Sequence, residues 1–229
     1  MQLVQQTISK LKGFKEWLDT LPLHESQLVL GLSGSVKHLA QSCAFEKLDK
    51  QLVIVTPTLL QATQTYEELS EWYDDEIVHL FPVEESLAAD FSVMSPDVVS
   101  QRIRTLDFLS RGQKGIVIVP LSGIQKLLVP ATVWKKSSIE LAMGSEIESM
   151  DAFVEQLVEL GYRRENMVAT PGEFALRGSI VDIYPLDQEY PLRLDFFDTE
   201  VDSIRAFNAE TQRSMDVINE VRILPATDL

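Results

Sequence analysis

The sequence predicts an α/β protein in two parts: a domain with a mostly parallel sheet, then a smaller α+β domain whose strands are mostly antiparallel. In the first part, continuous apolar runs alternate with stretches of helical periodicity, which is typical of a parallel sheet covered on both faces. Beyond about residue 130, short strands separated by turns replace this alternation. We therefore predict domains at residues 1–130 and 131–218, with residues 219–229 beginning a connection to a further domain.

Four short apolar runs in the first part are predicted strands, and the stretches around them have helical spacing. Apolar residues from Val4 to Leu21 recur at the intervals of an amphipathic helix. Pro96 is favourable in the first turn of a later helix. The strands are predicted at residues 27–31, 51–55, 76–80 and 115–119, and the helices at residues 4–21, 36–45, 58–73 and 96–111.

The second part contains one predicted helix, from Met150 to Leu160, and several short strands. One strand is predicted at residues 179–184. A second, at residues 191–197, can pair with residues 201–207 across the polar segment between them. These features predict a hairpin-rich antiparallel sheet.

Charge and composition restrict the classes of partner. The net charge is −15, and acids outnumber bases in residues 1–150 (19 to 13) and in residues 151–229 (16 to 7). Because duplex binding needs clustered Lys and Arg, nucleic acid is not expected to be the primary ligand. No apolar run reaches the roughly 20 residues of a membrane span, and the single cysteine, Cys43, fits a reducing compartment. We expect a cytoplasmic protein without a membrane partner.

A glycine-containing loop between a predicted strand and a predicted helix resembles the Walker A pattern G-x-x-x-x-G-K-[ST]. Val36 replaces the glycine before Lys37, and His38 replaces the hydroxyl residue that ligates Mg²⁺. Neither strand that could supply a Walker B acid ends in one. The pattern predicts a degenerate phosphate loop that does not use ATP, and a coincidental Gly/Ser turn is the alternative. Its residues are Gly31, Gly34, Ser35, Val36, Lys37 and His38.

No catalytic or metal site is predicted. The three histidines are scattered along the chain and have no nucleophile partner in the sequence pattern. The acids between Asp195 and Asp202 lack the ligand spacing of a calcium loop, so a solvated turn is the simpler interpretation. We therefore expect no cofactor for this chain.

The predicted hairpin at residues 191–207 places an unusual set of side chains on one face. Leu192, Leu194 and Phe196 alternate with Arg193, Asp195 and Phe197, so the apolar set is predicted core and the other set faces outward. An arginine, a carboxylate and an aromatic ring are typical of an interface hot spot. A cross-strand ion pair over a partly covered ring is the alternative. Arg177 precedes Gly178, which predicts a bulge or a close backbone approach.

Several of these segments resemble a known family. The loop at Gly31–Lys37 resembles that of the UvrB nucleotide-excision-repair helicase with its catalytic positions lost. Other blocks resemble the UvrB-like N-terminal region of the transcription-repair coupling factor (Mfd) family, and the last two are shared by both families. They lie at residues 79–85, 95–97, 102–106, 172–185 and 193–198.

The resemblance implies a degenerate helicase-type P-loop domain followed by a UvrA-binding domain, together a non-catalytic recruitment module. It implies a parent that is an ATP-dependent DNA translocase, with ATP and Mg²⁺ bound by motor domains outside this sequence, and that acts on stalled RNA polymerase. The family's UvrA-contacting positions match Arg163 or Arg164, Arg177, Arg193 and Asp195, whereas Ala175 replaces a frequent arginine.

Two alternatives remain open at this point. One is a nucleotide-hydrolysing, UvrB-like helicase domain that uses Lys37. The other is an intramolecular regulatory module, in which the β-rich domain docks on the parent's own motor domains.

Overall fold

The structure is a computed structural model that describes residues 12–23, 26–83, 95–125 and 128–227. Its helices are α1 (Lys12–Thr20), α2 (Ser35–Leu48), α3 (Leu59–Ser70), α4 (Pro96–Arg111), α5 (Leu121–Ile124), α6 (Ala131–Lys136) and α7 (Met150–Glu159), and a 3-10 turn (Leu21–Leu23) follows α1. Its strands are β1 (Leu52–Thr56), β2 (Val78–Leu80), β3 (Ile116–Pro120), β4 (Ile139–Ala142), β5 (Arg163–Arg164), β6 (Glu173–Arg177), β7 (Ile180–Ile183), β8 (Leu192–Phe197), β9 (Glu200–Phe207), β10 (Ser214–Ile218) and β11 (Glu220–Ile223).

The chain forms two compact units. The first comprises Met1–Leu87 and Gly112–Lys126, and the second comprises Ala88–Arg111 and Leu127–Leu229. Helix α4, which the sequence places in the first domain, therefore groups with the second unit. An ion pair between Asp107 on α4 and Arg222 on β11 (3.0 Å) connects this helix to the second unit. The predicted boundary near residue 130 stays a prediction.

The first unit contains a three-stranded parallel sheet in the order β1-β3-β2. All five residues of the central strand β3 are buried. Three of the four predicted strands are thus confirmed, together with their parallel pairing. The predicted helix at residues 4–21 is described only from residue 12, because residues 4–11 lie outside the described part of the chain.

The predicted strand at residues 27–31 is wrong. Residues 26–30 have no regular structure, and Leu28 and Leu30 are mostly exposed. The apolar run is only three residues long, so it offers few ladder bonds and little area to bury. As a result β1 is an edge strand, and Val53 and Val55 on one of its faces are half-exposed. Burial on both faces holds for β3 alone among the strands of this sheet.

The second unit is built on a six-stranded sheet in the order β5-β6-β7-β8-β9-β10. Every neighbouring pair is antiparallel except β5 and β6. Helix α7 covers one face, because its Phe153 and Leu157 pack in the same core as Leu192, Leu194 and Phe196. The predicted α/β class, with one parallel sheet and one mostly antiparallel sheet, is confirmed.

Strands β4 and β11 form a separate two-stranded antiparallel ladder. Residues 220–223, predicted as part of a connection, are this strand β11, and Ile223 is fully buried. Helix α7 begins at Met150 as predicted, after Ser149 caps it by accepting a hydrogen bond from the amide of Ala152 (3.1 Å). In the described segments, no helix is both long and apolar enough to traverse a bilayer.

Candidate functional site

The sheet face opposite helix α7 carries most of the predicted partner-binding residues. The strand register aligns Ala175, Asp182, Arg193, Arg205 and Val217 in one row across β6 to β10. The adjacent row contains Arg177, Ile180, Asp195 and Ser203. On β5, Arg163 is paired with Glu173 and belongs to the same face. We call this surface the arginine face and define it by Arg163, Arg177, Asp182, Arg193, Asp195, Phe197 and Arg205.

A buried carboxylate lies at the centre of the arginine face. Asp182 has no exposed side-chain area, and it accepts hydrogen bonds from Arg193 Nε (2.7 Å) and Arg193 Nη2 (2.9 Å). Nη2 of Arg177 donates to the same carboxylate. One acid thus holds two arginines from neighbouring strands, and buried charges require this kind of pairing.

Arg193 is committed to this cluster rather than to solvent. Its guanidinium lies 4.6 Å from the centroid of the Phe207 ring, and 22% of its side chain is exposed. The hydrogen bonds to Asp182 raise the pKa of Arg193 above its ordinary value. The interpretation that fits Arg193 is therefore the cross-strand ion pair over a partly covered ring.

Arg177 differs from Arg193 because 48% of its side chain is exposed. The expected bulge or close approach at Gly178 is wrong. Arg177 pairs with Ile180, so Gly178 and Ser179 form a two-residue hairpin turn, and a Cβ at Gly178 would meet nothing within 4 Å. Glycine is suited to this position because its φ is +64°, as tight hairpin turns require. The turn holds Arg177 at the end of β6 with one side open to solvent.

The two arginines of β5 differ in the direction of their side chains. Arg163 is exposed and lies 3.6 Å from Glu173 Oε1, whereas Arg164 pairs with Phe174, whose side chain belongs to the core face. The structure thus brings Arg163, and not Arg164, onto the arginine face, although Arg164 is also exposed.

Glu173 fixes the loop next to Arg163. Its Oε2 accepts the amides of Ala169 and Thr170, both at 2.9 Å, and its Oε1 accepts the Thr170 hydroxyl at 2.8 Å. Burial alone would raise the pKa of Glu173, but these hydrogen bonds and Arg163 outweigh burial, so the pKa is lower than its ordinary value. The carboxylate therefore stabilises the folded loop in its charged form.

The hairpin residues lie as their alternation predicts. Phe197 is 77% exposed at the end of β8. Asp195 is half-buried, and the Ser179 hydroxyl is 3.5 Å from its Oδ1. Two further members of the face, Asp182 and Arg205, were missed. Asp182 could have been found as an acid inside the apolar strand Ile180–Ile183, and Arg205 as an arginine on the outward face of the predicted partner strand.

The loop at Gly31–His38 lacks the context of a working phosphate loop. No strand precedes it within the described residues, and α2 begins at Ser35, before Lys37. His38 bonds to Glu68 Oε2 through Nδ1 (2.6 Å) and to the Thr65 hydroxyl through Nε2 (3.3 Å). Because an imidazole held in this way offers no hard oxygen to Mg²⁺, these residues do not fit a magnesium nucleotide.

Glu68, on helix α3, lies beside the start of helix α2. Burial would raise the pKa of Glu68, but hydrogen bonds from Ser35 and His38 outweigh burial, and the pKa lies below its ordinary value. A carboxylate ion beside the loop repels phosphate oxygens. Throughout the residues that the structure describes, no group of three or more His, Cys, Asp or Glu side chains is arranged to hold a metal.

Comparison with known proteins gives a family match within the second unit. Residues 139–229 match the family model of the UvrB interaction domain. This segment contains strands β4 to β11 and helix α7, and with them the whole arginine face.

The chain as a whole is similar to transcription-repair-coupling factors. It is 44% identical over 226 residues to that of Staphylococcus epidermidis and 39% identical over 232 residues to that of Bacillus subtilis. These matches cover 99% and 100% of this chain but only 19% and 20% of the relatives, so the chain spans about a fifth of their length. The resemblance to the UvrB-like region of this family is confirmed.

Proposed function

We propose that the second unit is a UvrA-recruitment module of a transcription-repair coupling factor. The observation that carries this proposal is an exposed arginine face on a domain that matches the UvrB interaction family. Through UvrA, the parent brings nucleotide excision repair to RNA polymerase stalled at DNA lesions. The parent is an ATP-dependent DNA translocase whose motor domains, outside this sequence, bind ATP and Mg²⁺.

The chemistry of the face suits an acidic protein partner. The side chains of Arg163 and Arg177 are 69% and 48% exposed, and arginine's planar fork pairs with carboxylates in two parallel hydrogen bonds. Phe197 adds an exposed aromatic ring, and buried aromatic and arginine side chains dominate protein interfaces. Arg164, Arg193 and Asp195 complete the predicted contact set.

We further propose that the first unit is a degenerate helicase-type P-loop domain that serves as a non-catalytic support. The contacts of His38 and Glu68 support this, because they use the positions that would hold Mg²⁺ and accept phosphate. The chain itself then needs no cofactor and works in the cytoplasm.

UvrA binding is tested by titration calorimetry with the purified chain. Arg177→Glu is expected to weaken binding about 30-fold, the effect of losing one hot-spot residue of roughly 2 kcal/mol. Arg163→Glu tests the other edge of the face. Lys135→Glu, the same charge change on exposed helix α6, is the matched control. Equal affinity of the unmodified chain and both arginine variants would remove the face from consideration.

Nucleotide binding is tested by thermal unfolding with millimolar Mg-ATP. A ligand that binds only the folded state raises its stability, so an active loop would shift the melting temperature. We expect no shift. A clear increase that disappears in Lys37→Ala would contradict the assignment of a degenerate loop.

A further inference from the structure

We propose that Arg205 on β9 directly contacts carboxylates of the partner, and that Arg193, its neighbour on β8, supports the face without binding. This inference rests on the proposed UvrA-binding function and changes which arginine carries it. Arg205 is not among the positions at which the family resemblance places contacts.

The argument starts from the charge balance of one row. Asp182, Arg193 and Arg205 are consecutive cross-strand partners on β7, β8 and β9. Within this row, the carboxylate of Asp182 accepts two hydrogen bonds, both from Arg193. The Phe207 ring covers one face of the Arg193 guanidinium. Arg193 has less capacity left for a partner, because two of its five N–H donors and one face of its guanidinium are already used.

Arg205 has the opposite properties. It is exposed, and no residue of the described segments forms an ion pair with it. It also lies directly opposite another arginine, an arrangement that destabilises a sheet. Within this row Asp182 contacts Arg193 and does not contact Arg205, so Arg205 has no compensating carboxylate there. An uncompensated cation beside a like charge gains most from an incoming carboxylate.

The position of Arg205 also widens the face. Arg177 on β6 and Arg205 on β9 are separated by two strands, and Arg177 lies in the row of Ser203, two residues from Arg205. Three strand spacings of about 4.8 Å and an offset of about 7 Å along the strands place them roughly 16 Å apart. Val217 on β10 continues the row beyond Arg205 and is 60% exposed. A partner that covers both arginines would therefore also cover the half-buried Asp195 between them, and one that extends past β9 would cover Val217. The partner surface required is one with two separate acidic groups and an apolar residue beyond the group that meets Arg205.

The experiment compares three arginine-to-alanine variants of the chain for UvrA affinity and for the urea midpoint of unfolding. Arg205→Ala should weaken binding at least tenfold and leave the midpoint unchanged or slightly raised, because it removes the like charge opposite Arg193. Arg193→Ala should lower the midpoint. Arg213→Ala is the matched control, because Arg213 is exposed and lies before β10 outside the two rows. Arg205→Lys keeps the charge and should restore binding only in part, since lysine lacks the planar fork.

Each result decides the inference. Unchanged affinity of Arg205→Ala, with the unmodified chain binding UvrA, would overturn the inference alone. Equal losses in Arg205→Ala and Arg213→Ala would overturn it as well, because they would indicate general electrostatic attraction instead of a contact. If the unmodified chain does not bind UvrA, the proposed function fails together with the inference.

Discussion

Replacement of Asp182 by alanine tests how the arginine face is held together. The change removes two charged hydrogen bonds of Arg193 and one of Arg177 from a carboxylate with no exposed area. Breaking a buried ion pair by removing one partner costs about 3–5 kcal/mol. Arg177 and Arg193 are 48% and 22% exposed, so water can replace part of what they lose. We therefore expect about 3 kcal/mol, the lower end of that range.

The assay is equilibrium unfolding in urea, followed by tryptophan fluorescence. Trp134 is the one tryptophan of the second unit, and it is buried. Replacing Trp17 and Trp72 by phenylalanine makes the fluorescence signal report on that unit alone. With a urea dependence of about 2 kcal/mol per molar, a loss of about 3 kcal/mol lowers the midpoint by about 1.5 M. Far-UV circular dichroism should give the same midpoint as the fluorescence, because coincident transitions indicate two-state unfolding.

Asp195→Ala is the matched control for Asp182→Ala. Asp195 lies on the same face and has the same charge, but within the described residues its carboxylate accepts one hydrogen bond, from the Ser179 hydroxyl at 3.5 Å. Its replacement should change stability by no more than about 0.5 kcal/mol. Equal midpoints for the two variants would refute the view that Asp182 organises the face.

Two further predictions concern the second unit. The pKa of Glu173 lies below its ordinary 4.5, so its stabilisation is complete above that pH and is lost as the pH falls through the lower folded value. The free energy of unfolding of Glu173→Gln, measured in urea, should therefore be about 1 kcal/mol below that of the unmodified chain at neutral pH. This difference should shrink near pH 3, and a difference that stays constant with pH would contradict the prediction. Gly161→Ala should cost about 1 kcal/mol more than Gly172→Ala, because both have φ near +90° but a Cβ at Gly161 would clash with Thr227 Cγ2, whereas a Cβ at Gly172 would meet open space. Equal melting temperatures of these two variants would exclude the steric explanation.

The hairpins of the second unit were predictable because two local signals agreed there. Leu192, Leu194 and Phe196 alternate with polar or exposed residues, and the turn at residues 198–199 separates two runs of matching length. The same reasoning failed at residues 27–31, where apolar content was the one signal. A short apolar run becomes a strand only if a neighbouring edge accepts it, and this depends on residues distant in sequence.

The charge pairs of the arginine face could not be obtained from the sequence. Asp182 is 11 residues from Arg193, and the pairing follows from the register of β7 against β8, which two separate turns determine. Similarly, the choice between Arg163 and Arg164 depends on the parallel alignment of β5 with β6, since a shift of one residue exchanges the two side chains between faces.

An arginine face on a chain of net charge −15 is consistent once distances are considered. At physiological ionic strength the Debye length is about 8 Å, shorter than the roughly 16 Å between Arg177 and Arg205. Each arginine therefore acts on groups in direct contact with it, and the two do not sum to a basic field that would attract a phosphate backbone. An acidic side chain placed against either arginine gains a local pair that the net charge of the chain does little to weaken. Selection of an acidic protein over nucleic acid then follows from spacing, and losses from Arg177→Ala and Arg205→Ala should be additive in free energy.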